Sequence, residues 1–146
     1  MKRFKFRLDP VIRYREYRER IAKIGLARET QALVESKNRI SEIEQARRYT
    51  AIELDSEQKQ GIEVDRHMVF TDYLQGLRDE IASERERLVE IDKRIREKQE
   101  AAKVETMKKK TLEWIKQNQY SKYLKCINRA EQKASDELSG LKKHEI

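Results

Sequence analysis

Helix breakers are nearly missing from this chain of 146 residues, which has one proline and four glycines. That excludes folds built on many tight turns, and glycine-rich phosphate loops, because both need residues that tolerate unusual backbone angles. Cys126 is the only cysteine, so no intrachain disulfide can form and a reducing, cytoplasmic compartment is expected. No run approaches the ~18–20 apolar residues that cross a bilayer. The opening Met1-Lys2-Arg3-Phe4-Lys5-Phe6-Arg7 lacks the apolar centre of a secretory signal. Hydrophobic residues make up 37% of the chain and charged ones 42%, too lean a mix for a globular core and, taken alone, compatible with disorder. There is no P-loop, GxSxG or HExxH pattern, and the two histidines, His67 and His144, lie far apart. No catalytic constellation, metal, cofactor or small-molecule substrate is therefore expected. His67 reads as a surface or capping residue.

What is present is a period. Phe70, Leu74, Leu77 and Ile81 are followed by Leu88, Ile91 and Ile95, then Ala102. These steps fit heptad a and d positions, with Glu84 and Lys98 in the two d slots that are not apolar. A 3.5-residue period sustained over this length specifies a coiled-coil seam.

Before it, Asp9-Pro10 reads as a helix start, with Asp as cap and Pro at the first helical position. Tyr14, Tyr17, Ile21 and Ile24 follow at helical spacing. The register then shifts to Leu26, Leu33, Ile40, Ile43 and Leu54, with Glu29, Ser36, Arg47 and Thr50 in core-like slots. Glu16/Arg20, Glu35/Arg39 and Glu44/Arg48 have the favourable acid-before-base order within one helix. The seam breaks between Gln58 and His67. Gly61 suits the left-handed residue that ends a helix, and Asp65 suits the next cap.

The expectation is a single all-α domain, a long antiparallel two-helix coiled-coil hairpin. Helix one covers about 10–58, the bend about 59–65 and helix two about 66–140. Facing residues should have numbers that sum to roughly 123–126, which places Val11 and Tyr14 beside Trp114 and Lys110. At about 1.5 Å per residue helix two would reach on the order of 110 Å, making a rod. Beyond Gln117-Asn118-Gln119 the register changes, and Tyr120, Leu124, Ile127, Ala134, Leu138 and Leu141 form a second stripe. Those residues must overhang, fold back or bind something. Cys126 is expected to pack beside that stripe.

The formal net charge is +7, with basic ends and an acidic middle. Arg13, Arg15, Arg18 and Arg20 crowd the first part and Lys108-Lys109-Lys110 the last, whereas residues 52–65 hold Glu53, Asp55, Glu57, Glu63 and Asp65. Basic ends suit nucleic-acid phosphates, an acidic protein pore or anionic lipid, and equally a solvated face. Phe4 and Phe6 should fold onto the coiled coil or anchor a partner. Near the bend, Tyr49, Val69 and Tyr73 do not fit inside the seam, and exposed tyrosine favours interfaces. A protein contact is expected there.

Three segments resemble the FliJ family of flagellar type III export proteins: Phe4-Lys5-Phe6-Arg7-Leu8-Asp9-Pro10-Val11-Ile12 followed by Arg13-Tyr14-Arg15; Gly61-Ile62 leading to Tyr73 and Leu77; and Met107-Lys108-Lys109-Lys110-Thr111-Leu112-Glu113. The resemblance spans nearly the whole sequence. It implies an antiparallel coiled coil similar to the central-stalk γ subunit of rotary ATPases. It further implies a non-enzymatic protein that binds the hexameric flagellar export ATPase, contacts the export gate membrane protein and assists export chaperones. Such a protein would be cytoplasmic and peripherally associated with the inner-membrane export apparatus. The positions here that match the gate-contact face are Ile43, Tyr49, Tyr73 and Leu77. The ATPase contact falls at the basic open end, on Arg13, Tyr14, Tyr17, Arg18 and Arg20. The alternative is a nucleic-acid-associated or scaffolding coiled coil, supported by charge alone.

Overall fold

The computed structural model describes residues 2–144 and contains two helices packed against each other, α1 (Asp9–Gln60) and α2 (Val64–His144). No strand occurs among the described residues. Both helices begin slightly earlier than the sequence suggests. The Leu8 carbonyl accepts from the Ile12 amide at 2.9 Å, so Asp9 lies inside the first turn, and its carboxylate is drawn to Lys116 Nζ at 2.8 Å. The Glu63 carbonyl accepts from the His67 amide at 3.0 Å, so α2 starts at Val64 and Asp65 sits in its first turn. There its charge still suits the positive end of the helix. Between the helices Gly61 takes φ +91°, a conformation that glycine alone adopts without strain. Arg66 then grips Glu57 with two bonds of 2.6 Å across the bend, its guanidinium 5.7 Å from the Phe70 ring centre.

By its internal contacts the chain divides into two compact units. One, here the bend unit, is Ala22–Ala102. The other, the terminal unit, combines residues up to Ile21 with those from Lys103 onward.

In the bend unit the seam is apolar and follows the expected heptads. Leu54, Leu77, Ile81, Ile91, Ile95 and Ala102 are buried, with Ile91 at 0% exposure, and Phe70, Leu74 and Leu88 are half-buried. Arg39–Glu84 and Arg94–Glu29 are antiparallel pairs whose numbers each sum to 123, within the expected window. Glu84 fills its polar d slot by accepting from Ser36 Oγ and Arg39 Nη1, both at 3.0 Å. Those two bonds, Arg39 first, hold its carboxyl below the ordinary range. Arg39 thus bonds across the helices rather than to Glu35, and Glu44 likewise takes Arg85 at 3.2 Å. A cross-helix partner at a seam flank competes well with one along a solvated face, where a pair contributes only a few tenths of a kcal/mol.

In the terminal unit the same periodicity holds with different chemistry. Ile12 and Glu19 are buried and Arg15 is half-buried between them, in steps of three and four. Tyr14 and Tyr17 are 52% and 53% exposed, and Ile21, like Ile24 of the bend unit, is exposed too. The early stripe is therefore an outer face, and helix one needs no register shift. Charges hold these seam positions because each finds an opposite across the helices. Lys109 reaches Glu19 at 3.0 Å, and Arg15 and Arg18 approach Glu105 at 3.9 and 3.8 Å. The Glu19 carboxylate, with Glu113 and Glu16 nearby, raises the Lys109 pKa. Ile12 is buried and Leu112 half-buried, and their numbers sum to 124, inside the expected window. Tyr14 and Trp114 are exposed and lie on outer faces, so the expected pairs Val11–Trp114 and Tyr14–Lys110 are not part of the seam.

The segment before α1 folds back along α2. Phe6 is buried, and the Phe4 ring lies 5.2 Å from Tyr120 and 5.3 Å from Tyr123. The Tyr123 hydroxyl donates to the Lys2 carbonyl at 2.7 Å. Phe4 and Phe6 thus serve the fold. Past Gln119 the expected change of register is not seen: Tyr123, one heptad beyond Lys116, is half-buried with Ile127, whereas Tyr120, Leu124, Leu138 and Leu141 of the expected stripe and Cys126 are exposed.

Candidate protein-contact surfaces

Two exposed aromatic surfaces stand out, one in each unit. In the terminal unit, heptad geometry fixes the first. With Ile12, Arg15 and Glu19 on the seam, Arg13, Tyr14, Tyr17 and Arg20 necessarily project from the far side of α1, and all are exposed. The Arg15 guanidinium lies 5.6 Å from the Tyr14 ring centre, which orients that ring. Arg18 differs from its neighbours: it sits at the flank and approaches Glu105, so its charge is partly engaged. Four of the five residues expected to contact an ATPase therefore share one face, with Glu16 at its edge between Arg13 and Arg20, and the fifth borders it.

In the bend unit the expected contact residues separate. Leu77 is buried and Ile43 is half-buried, so both serve the seam. Tyr73 is 51% exposed and Tyr49 more so. Tyr73 borders a groove of about 660 Å³ whose lining includes Thr50, Glu53, Arg66, Val69 and Phe70. Its rim is acidic, with Glu63 added from the bend and Asp65 from the first turn of α2. The Arg66 bridge lowers the Glu57 pKa, chiefly through its hydrogen bonds, and fixes the wall of the groove. Sequence reasoning missed Arg66. The available signal was a basic residue placed symmetrically with Glu57 about the glycine bend. It also missed the Arg15, Glu19, Glu105 and Lys109 set, whose signal was opposite charges on seam spacing in both helices.

Neither surface gathers a nucleophile with a base. Among the described residues no three His, Cys, Asp or Glu side chains are grouped to hold a metal, and no helix is long and apolar enough to cross a membrane. Both surfaces offer shape, aromatic rings and charge, which is the chemistry of protein contact.

No curated protein and no solved structure gives a significant match to the chain. The family model described as flagellar FliJ protein matches residues 4–144. With nearly its whole length so matched, the chain belongs to the flagellar FliJ family, whose members are flagellar export components.

Proposed function

We propose that this protein is a non-enzymatic stalk that couples the hexameric flagellar export ATPase to the export gate membrane protein and assists export chaperones. The observation that carries this reading is the outer face of α1 in the terminal unit. Arg13, Tyr14, Tyr17 and Arg20 are large and exposed, while Arg15 and Glu19 beside them on the seam are charged. Large residues placed outward where the seam itself is short of apolar side chains suit a ring of acidic or polar loops around the helix. The gate contact is assigned to Tyr49 and Tyr73 beside the acidic groove, with Ile43 and Leu77 supporting that surface from the seam. The protein works from the cytoplasmic side and reaches the inner membrane through the gate.

The test is the effect on the cognate ATPase. The full chain should stimulate or stabilise the ATPase hexamer at sub-stoichiometric ratio. Neutralising Arg13, Arg18 and Arg20 together should weaken that effect with the helix content intact. Tyr73→Ala should leave the ATPase effect and reduce binding to the cytoplasmic part of the gate. Sub-micromolar nucleic-acid binding at physiological salt with no effect on the ATPase would replace this reading with that of a nucleic-acid-associated coiled coil.

A further inference from the structure

The outer face of α2 in the terminal unit is not used by the seam, by the folded-back segment or by the contacts proposed above. From residue 103 to residue 125 it belongs to a stretch with seven lysines and two glutamates. Two of these lysines, Lys109 and Lys116, pair with Glu19 and Asp9, and neither glutamate lies on the outer strip. Glu105 is on the seam with Arg15 and Arg18, and Glu113 lines a groove with Lys116 and Phe4. What remains outward is Val104, Met107 and Trp114, at helical spacing, with Met107 61% and Trp114 66% exposed. Lys103 and Lys110 are exposed on one side of that strip and Lys108 on the other.

We propose that this face binds the surface of an anionic lipid bilayer. Three features select lipid over a protein partner. The strip is convex, the outside of a single helix, so a protein would have to supply a complementary groove, whereas a bilayer surface yields to it. Its apolar residues run along the helix axis and are rimmed by cations on both sides, the arrangement of a helix lying in the plane of a membrane. Tryptophan is the side chain that prefers the headgroup level, with its ring in the acyl boundary and its N–H in the polar layer. Lysines near an anionic surface each add to binding, and their long stems let the ammonium groups reach phosphate while Met107 and Trp114 insert. The assignment applies to the chain outside an ATPase ring: a ring around the terminal unit would cover this face of α2 as well, so the two contacts exclude one another, and the vesicle experiment is done without the ATPase.

Trp114 is the only tryptophan, so its emission reports this face alone. The full chain is titrated with vesicles of phosphatidylglycerol and phosphatidylcholine in equal parts, and separately with pure phosphatidylcholine. The expected result is a blue shift of emission and co-flotation with the anionic vesicles only, both reversed by high salt. Lys103→Ala and Lys110→Ala should each weaken vesicle binding about fivefold with unchanged helix content. Arg48→Ala, which removes one exposed charge from the bend unit, should leave it unchanged. The proposal is overturned if anionic vesicles at low salt produce neither shift nor flotation, if neutral vesicles bind equally, or if Arg48→Ala weakens binding as much as the lysine changes. It is also overturned if soluble polyglutamate shifts the emission and anionic vesicles do not, which would assign the face to an acidic polypeptide.

Discussion

In the bend unit the two helices meet through Leu54, Leu77, Ile81, Ile91 and Ile95, and the charges lie at the flanks and outside. In the terminal unit the equivalent heptad positions hold Arg15, Glu19, Glu105 and Lys109, while Tyr14, Tyr17, Met107 and Trp114 face water. One repeat thus supports two opposite distributions of the same side-chain types. Burying apolar surface stabilises by roughly 25 cal/mol per Å². A buried ion pair returns little beyond the cost of desolvating its charges. The bend unit should therefore supply most of the stability. The terminal unit keeps its charged layers for alignment and its large side chains for partners.

That contrast is open to direct attack. Ile91→Ala removes a fully buried side chain from the bend unit and should cost about 2–4 kcal/mol in thermal or denaturant unfolding, the largest single effect expected. If it costs no more than an exposed change, the bend unit is not the stabilising one. Glu19→Ala leaves Lys109 without its nearest carboxylate at a partly buried site and should cost about 1–3 kcal/mol. Its effect on hydrogen exchange should concentrate in the terminal unit. Replacing both Glu19 and Lys109 by Leu should recover or exceed wild-type stability, because an apolar layer then takes the place of an ion pair. Failure of that double variant to recover would mean that the charged layers are the stronger clamp.

Alkaline pH singles out the terminal unit without mutation. The Glu84 carboxyl is held below its ordinary 4.5 by Arg39 and Ser36, so its contribution is complete above 4.5 and is lost as pH falls through the folded value. Glu57 follows the same sign through Arg66. Lys109 is shifted the other way by Glu19, above its ordinary 10.5, so its contribution is complete below 10.5 and is lost as pH rises through the folded value. Residue-resolved hydrogen exchange should show acid loosening the bend unit at Glu84 and Glu57 and also the Lys109 pair, whose carboxylate it neutralises, whereas alkali loosens the terminal unit alone at Lys109. The smallest effect is expected from Tyr17→Ala, which should change the melting free energy by under about 0.5 kcal/mol because the ring is exposed.

The parts of this fold that were legible in the sequence are those in which apolar residues alone mark the seam. From Phe70 to Ala102 the pattern could be read directly, and Gly61 marked the bend because only one residue type suits its backbone. Helix one was harder. Tyr14, Tyr17, Ile21 and Ile24 keep a spacing as regular as the true seam and are more apolar than Arg15 and Glu19. The choice between the two faces is made by Glu105 and Lys109, far along the chain, and no local pattern contains them. The contact surfaces were half legible for the same reason. Exposed tyrosines show as residues that overfill a seam, whereas a face shared by Tyr49 and Tyr73 cannot be told from the seam positions Ile43 and Leu77 until the rotation of each helix is known.

The fixed sum of paired residue numbers carries a consequence for how such a chain can change length. Adding residues to one helix alone would slide every pair between the insertion and the open end past its mate, setting Glu84 away from Ser36 and Arg39. Only matched additions, one on each side of Gly61 and in whole heptads, leave every layer facing its partner. Natural length variants of this hairpin should therefore differ by steps of about fourteen residues, split evenly about the glycine, and a single-sided insertion should be found only beyond Ile127, where α2 no longer has a helix beside it.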